Sequence, residues 1–180
     1  MVASESYQGP LPHVSTRRRV RTILALSVHM SVSAHDTDWR RHLVDDDQGI
    51  DRVLDYTHRI AVLGIKIDPD QPAHFVPAYA QAHGCEIVPV PVYFPEVTEI
   101  LGERVYRTVA AVPGPVDVVN VFRRSRDVAP HVDDILAKRP TCVWMQMGIR
   151  DDASAERLAR AGIDVVQDRC LMVEMRARGR

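Results

Sequence analysis

Cysteine is scarce in this chain, and the few that are present do not cluster. The 180 residues include three cysteines, Cys85, Cys142 and Cys170, which lie far apart. An odd number of scattered cysteines argues against a disulfide framework and indicates a reducing compartment. The sequence also lacks an apolar run long enough to cross a membrane. We therefore expect a cytoplasmic protein without a membrane partner.

An excess of charge of one sign is missing as well. The chain has 23 Lys and Arg against 24 Asp and Glu, a formal net charge of -1. Proteins that bind nucleic acid or anionic membranes normally carry a basic excess, so we expect neither partner here. The apolar fraction of 46% and the length suit one domain with a well-buried core.

Residues 1–38 have neither a helical nor a strand period. A cluster of arginines within residues 17–21 precedes TILALSVHMSVSA, which has some features of a targeting segment cleaved after Ala34. His29 and several serines interrupt its apolar run, and it lies late for a signal. We expect a poorly ordered extension, or a start codon assigned too far upstream, followed by a folded domain over residues 39–180.

Beyond Trp39, apolar strand-like runs alternate with helical patterns. The sequence predicts strands at residues 59–64, 85–90, 105–106, 116–122, 142–147 and 164–167, and helical segments within 45–57, 73–83, 97–101, 126–138 and 151–161. This alternation is typical of βαβ units, and it predicts an α/β fold with a mostly parallel sheet and helices on both faces. Ligands of such sheets bind at the edge where the strands end.

Gly64 ends the first of the long strands, and the helix after Pro72 directs its N-terminus to the same edge, where a pyrophosphate could bind. A dinucleotide fingerprint would need G-x-G-x-x-G, whereas the sequence reads GIKIDP. The second strand ends in Pro89, Val90 and Pro91 instead of the acidic residue that holds a ribose. Both features argue against NAD, and Gly64 is equally consistent with close packing of strand and helix.

Basic residues follow the apolar run VDVVNVF. Arg123 and Arg124 could form paired hydrogen bonds to a phosphate, or instead a salt bridge to Asp127. Lys66 and His74 would add positive charge, although a histidine that opens a helix is more often a polar cap.

A polar group closes the last predicted strand. We expect Asp168 and Arg169 to pair with each other or to hold backbone. We expect Cys170 to pack, because a reactive cysteine needs a lowered pKa, which Arg169 could favour but does not establish. The sequence has no nucleophile with a plausible base, no P-loop and no histidine pair at zinc-ligand spacing. We therefore predict no catalytic residue and no metal site.

Six segments, in their order and spacing, resemble one known family: RIAVLG, GCEIVPV, EILGERVY, GPVDVVNVFRRSRDV, CVWMQMGI and AGIDVVQDRC. From Trp39 to about Met175 the chain resembles the small standalone CoA-binding proteins related to the N-terminal CoA-binding domain of succinyl-CoA synthetase α subunits. The resemblance implies a Rossmann-like, doubly wound fold. It also implies coenzyme A at the strand ends, with its pyrophosphate near the loop after the first strand.

The resemblance further implies a set of CoA-binding positions in this chain. They are Gly64, Ile65, Lys66, Ala73, His74, Phe75, Pro91, Val92, Phe122, Arg123, Arg124, Met147 and Gly148. The chain departs from the family at Gln71, Pro72 and Ala73, where a polar or basic residue with a serine is usual. The loop PVYFPEV is also longer than the common version.

Three functions follow from the resemblance and the residues. The first is a small protein that binds or senses CoA or an acyl-CoA without chemistry of its own. The second is a catalytic subunit acting on a CoA thioester, although the phosphorylated histidine of the ligase relatives lies on another domain that we do not find in this sequence. The third is a redox protein whose Cys170 forms a mixed disulfide with CoA. A homo-oligomer is left open.

Overall fold

The computed structural model describes Gly9 and residues 38–180. The basic cluster and the targeting pattern of the N-terminal extension lie outside the described residues, so the extension and its boundary with the folded domain stay predictions. No helix in the described part of the chain is long and apolar enough to cross a membrane.

The longer elements alternate along the chain as the sequence predicts. The strands are β1 (Leu43–Val44), β2 (Arg59–Leu63), β3 (Glu86–Val90), β4 (Glu99–Ile100), β5 (Glu103–Arg104), β6 (Val118–Val121), β7 (Cys142–Met145) and β8 (Asp164–Val166). The α-helices are α1 (Asp47–Tyr56), α2 (Pro72–Ala82), α3 (Val132–Lys138), α4 (Asp152–Arg160) and α5 (Leu171–Ala177). Short 3₁₀-helices span Asp38–His42, Ser125–Asp127 and Ala129–His131.

Six strands form one parallel sheet in the order β1-β8-β7-β6-β2-β3, while β4 and β5 form a separate antiparallel hairpin. After β2 the chain moves to one side of the sheet, and from β6 onwards it moves to the other. The order therefore reverses between β2 and β6, and the carboxyl ends there border the crevice where open α/β sheets bind ligands. The α/β, Rossmann-like fold expected from the sequence is confirmed.

Side chains alternate between the two faces of each central strand. On β2, Ile60 and Val62 pack with α1, α2 and α5, whereas Ala61 and Leu63 pack with α3 and α4. Both faces are buried, which is why β2 and β6 read as nearly continuous apolar runs. Pro89 is tolerated in β3 because β3 is an edge strand.

One predicted helical segment is wrong, and a second is an α-helix only in its later part. The short strand predicted at residues 105–106 is also wrong, because β5 ends at Arg104. Residues 97–101 enter the β4–β5 hairpin, whose turn places Leu101 and Gly102 at positive φ of 56° and 76°, as a tight hairpin turn requires. Residues 126–131 form 3₁₀ turns, and the α-helix begins only at Val132, after Pro130, which cannot donate a helical hydrogen bond. The structure also adds β1 and α5, which the sequence patterns did not predict.

Candidate functional site

The loops after β2, β3, β6 and β7 share one edge of the sheet because these strands are parallel. The predicted site residues lie on these loops: Gly64, Ile65 and Lys66 after β2, Pro91 and Val92 after β3, Phe122, Arg123 and Arg124 after β6, and Met147 and Gly148 after β7. Ala73, His74 and Phe75 occupy the first turn of α2, which follows the β2 loop. The structure therefore brings the predicted positions to a common edge.

Gly64 lies where the ends of three strands meet. Its N–H donates to the carbonyl of Val90 at 2.8 Å, and the N–H of Phe122 donates to the carbonyl of Leu63 at 2.8 Å. The φ angle of Gly64 is 87°, and a Cβ atom at this position would lie 2.5 Å from the carbonyl oxygen of Phe122. Only glycine fits both the conformation and the space, so close packing requires this residue whether or not a ligand binds.

The N-terminus of α2 offers fewer free donors than its position suggests. The N–H groups of His74 and Phe75 donate to the carbonyl of Gln71, at 2.8 Å and 3.0 Å. Pro72 has no N–H, so the amide of Ala73 is the one first-turn donor without an acceptor among residues 38–180. Asp68 stands beside this turn, and hydrogen bonds from the Asp70 amide and the Gln71 side chain lower its pKa. Its negative charge opposes anion binding by the helix alone.

Positive charge is supplied mainly by three residues, Lys66, Arg123 and Arg124, which we call the cationic cluster. Lys66 Nζ lies 4.1 Å from the ring centre of Tyr93, and Arg123 Cζ lies 5.4 Å from the same centre. Both distances are typical of cation–π contacts. Arg123 also donates a hydrogen bond of 3.4 Å to the Tyr93 hydroxyl, and this bond is the main cause that lowers the pKa of Tyr93.

Arg123 keeps binding capacity beyond its contact with Tyr93. Its Nε is buried and has no hydrogen-bond partner in the described part of the protein. Asp127 is paired with Arg126 at 4.0 Å, and no ion pair joins it to Arg123 or Arg124 within residues 38–180. The salt bridge left open by the sequence is therefore not formed.

His74 contributes a structural contact. Its Nδ1 lies 2.8 Å from the carbonyl oxygen of Lys66. A carbonyl can only accept, so Nδ1 carries the proton in this contact. The side chain of His74 therefore fixes the β2–α2 loop and does not cap the helix.

A first cavity of about 370 Å³ opens between the ends of β2 and β3 and the start of α3; we call it the β3-side cavity. Pro91, Val92 and Tyr93 form one wall, and His131 and Asp134 lie opposite. Asp134 accepts hydrogen bonds from the N–H groups of Val109 and Ala110, at 2.7 Å and 3.0 Å, and so holds the loop that closes the cavity. The cavity thus has an apolar and aromatic wall facing a polar one.

His131 makes the stability of the protein dependent on pH. Burial, followed by the nearby charge of Arg123, lowers its pKa, so the unfolded chain binds a proton more tightly than the folded one. Folding stability is therefore lost as the pH falls below about 6.5, the ordinary histidine value. We expect His131→Gln to lose less stability between pH 7.5 and pH 5 than the unmodified protein, as measured by urea unfolding at each pH. Identical pH profiles would contradict this role.

A second cavity, of about 380 Å³, separates the N-terminal turns of α2 and α5; we call it the apolar cleft. Apolar and sulfur-bearing side chains line most of it: Pro72, Phe75, Val76, Phe122, Met147, Ile149, Cys170, Met172 and Val173. The sequence patterns do not predict the cleft, because one of its walls is α5. Cys170, expected to be packing, is half-buried at this wall.

A buried pair of amides lies at the apolar cleft. Gln146, which lines it, donates from Nε2 to Oδ1 of Asn120 at 2.7 Å and accepts from the N–H of Leu171 at 3.3 Å. Asn120 is completely buried, and its Nδ2 has no partner in the described part of the chain. A polar residue within the apolar runs VDVVNVF and CVWMQMG was the available signal for this pair, and it was missed.

The end of β8 differs from one expectation. Asp168 accepts a hydrogen bond of 2.6 Å from the N–H of Gly148, and Arg169 faces Glu174 at 3.1 Å. The expected pairing of Asp168 with Arg169 is therefore wrong, and the alternative that Asp168 holds backbone is confirmed. The amide of Gly148 is already used inside the protein.

Known proteins share this architecture. Residues 58–176 match a family model described as a CoA binding domain. The chain is 33% identical over 124 residues to the uncharacterized protein YneT of Bacillus subtilis (strain 168), covering 69% of this chain and 90% of the relative. Cell-free ID.343 from Thermus thermophilus superimposes with a TM-score of 0.68 at 39% identity, covering 74% of this chain and 98% of that one. A hypothetical protein from Pyrococcus horikoshii OT3 gives 0.69 at 27% identity, covering 74% and 92%. The chain therefore belongs to the CoA binding domain family, as its sequence motifs indicate.

Proposed function

We propose that this protein binds coenzyme A or an acyl-CoA at the carboxyl edge of its sheet, as a cytoplasmic binder or sensor without chemistry of its own. The observation that carries the proposal is the cationic cluster with a cavity on either side. Tyr93, which contacts the cluster, lines the β3-side cavity, and Phe122, next to Arg123 in the chain, lines the apolar cleft. Coenzyme A has the same order: a base, a set of phosphates, and a long, less polar arm.

The phosphates are assigned to the cationic cluster. Among residues 38–180 the Arg123 guanidinium makes one long hydrogen bond, of 3.4 Å to the Tyr93 hydroxyl, and no ion pair, and a guanidinium that gains a phosphate oxygen forms a charge-assisted hydrogen bond. Lys66 and Arg124 add charge, and the free amide of Ala73 adds one neutral donor. Because no hydroxyl stands at residues 71–73, the site forgoes a hydrogen bond worth about 1 kcal/mol.

Most of the remaining predicted positions line one or other of the two cavities. We assign the base to the β3-side cavity, where Pro91 and Val92 offer apolar contact. We assign the pantetheine arm to the apolar cleft, where Phe75, Phe122 and Met147 are accessible. Gly64 lets the ends of β2 and β6 pack closely beside the cationic cluster.

Three predicted positions have limited roles in this proposal. The side chain of Ile65 is only 1% exposed, so any ligand contact there involves the backbone. The Nδ1 of His74 and the amide of Gly148 are already engaged inside the protein.

Calorimetry with CoA tests the proposal. We expect CoA to bind and to raise the unfolding temperature, since a ligand at 100 times its dissociation constant stabilises the folded state by about 2.7 kcal/mol. Arg123→Ala should weaken CoA binding about tenfold to a hundredfold, because a hydrogen bond to a charged group contributes about 1.5–3 kcal/mol.

The matched control is Arg157→Ala, which removes an exposed arginine of α4 that is paired with Asp133 at 2.6 Å. This variant should bind CoA as the unmodified protein does. The same unfolding temperature with and without millimolar CoA would overturn the proposal. An equal loss of affinity in both variants would show that CoA does not contact Arg123 at this site.

A further inference from the structure

The apolar cleft carries a cluster of exposed hydrophobic side chains. Six large apolar side chains are well exposed in the described part of the chain, and three of them line this cleft: Phe75 at 39%, Met147 at 64% and Val173 at 49%. Single exposed apolar residues are normal on protein surfaces, but a cluster around a cavity marks a binding surface. Met147 and Met172 are flexible and polarizable, and such side chains adapt to apolar groups of different shape.

One amide adds a polar donor to these apolar walls. Gln146 lines the cleft, and its Nε2 donates one hydrogen bond to the fully buried Asn120. A side-chain amide nitrogen carries two N–H groups, so the second can donate to a group that enters the cleft. An apolar chain that carries a carbonyl group fits both the walls and this amide, and an acyl thioester is such a group.

The cleft and the proposed phosphate site are joined along the chain. It begins at Pro72 and Phe75 in the first turn of α2 and at Phe122, which precedes Arg123, and it extends to Cys170 and α5. A ligand whose phosphates lie on the cationic cluster would therefore direct its uncharged end into the cleft.

We propose that the apolar cleft holds the acyl chain of an acyl-CoA, and that the preferred ligands are CoA thioesters of apolar acyl groups. This inference rests on the proposed CoA site and adds the class of acyl group. Its carbonyl accepts from the Gln146 amide in the cleft wall, and its chain packs against Met147, Met172 and Val173.

Calorimetry of the full chain with CoA, acetyl-CoA, hexanoyl-CoA and octanoyl-CoA tests this inference. Burial of one methylene contributes about 0.8 kcal/mol, so affinity should rise about threefold to fourfold for each methylene that the cleft covers. We expect octanoyl-CoA to bind at least tenfold more tightly than CoA.

Val173→Glu places a charge in the cleft and should remove the gain with chain length while CoA still binds. The control is Ala177→Glu, an exposed position one turn further along α5 and outside the cleft, which should keep the gain. Equal affinity for CoA and octanoyl-CoA would overturn the inference and leave the proposed function standing. A gain that survives Val173→Glu would place the acyl chain elsewhere. Absence of binding by all four ligands would overturn the proposed function itself.

Discussion

Gly64→Ala should lower the free energy of unfolding by about 3 kcal/mol or more, and it should abolish CoA binding. A left-handed backbone costs a residue with a Cβ about 1–2 kcal/mol, and Gly64 has a φ of 87°. The new Cβ would also lie 2.5 Å from the carbonyl oxygen of Phe122. That oxygen belongs to the backbone between β6 and the cationic cluster, so relief of the clash must separate the ends of β2 and β6. Urea unfolding and calorimetry with CoA measure the two effects.

Gly162→Ala is the matched control. Gly162 has a φ of 80°, close to that of Gly64, but a Cβ there would have no atom within 4 Å. It ends the helical turn after α4, away from the proposed site. The free energy of unfolding of the control should therefore fall only by the cost of a left-handed backbone, about 1–2 kcal/mol, and the control should bind CoA normally. Equal losses in the two variants would show that the contact with Phe122 is unimportant.

The central part of the fold could be predicted because its strands are buried on both faces. RIAVL in β2 and CVWM in β7 are apolar throughout, and each is followed by a helix with a recognisable start. For α4 that start is Asp151, whose side chain accepts from the N–H of Ser154. Strong local signals and the tertiary structure agree in these elements.

The peripheral elements could not be predicted because their local signals are weak or misleading. Strand β1 has two residues and is fixed only by pairing with β8. Helix α5 begins after Cys170, whose side chain forms no cap hydrogen bond, so the sequence has no start signal there. Val97, Ile100 and Leu101 have helical spacing, yet Gly102 allows the tight turn that makes them part of a hairpin.

These differences determine how much of the candidate site could be anticipated. The direction of the strands alone predicts which edge of the sheet carries the site and which basic residues lie there. Gly64, Lys66 and Arg123 could therefore be predicted from the sequence. The apolar cleft needs α5, and the contact of Tyr93 with Lys66 needs the folded path of the loop after β3. The sequence therefore indicates where a charged ligand part binds, whereas the structure is needed to find the surfaces for its two ends.

Gln146→Leu should destabilise the protein by about 2–6 kcal/mol, because it leaves two buried groups unpaired, each at about 1–3 kcal/mol. These groups are Oδ1 of Asn120, which loses its donor at 2.7 Å, and the N–H of Leu171, which loses its acceptor at 3.3 Å. Asn120→Leu removes the unpaired oxygen and also Nδ2, which has no partner within residues 38–180. The double variant should therefore be more stable than Gln146→Leu alone, by about 1–2 kcal/mol.

Urea unfolding of the two single variants and the double variant forms a double-mutant cycle for this pair. Leu158→Ala on α4 is the control, because Leu158 packs in the hydrophobic cluster on the other face of the sheet. Its loss of stability should simply add to that of Gln146→Leu. Additive losses for Asn120 and Gln146 would show that the amides do not act as a unit. A recovery of stability in the double variant would instead show that the two amides act as a unit. Only a double variant more stable than the unmodified protein would show that the protein maintains this buried pair at a cost to its own stability.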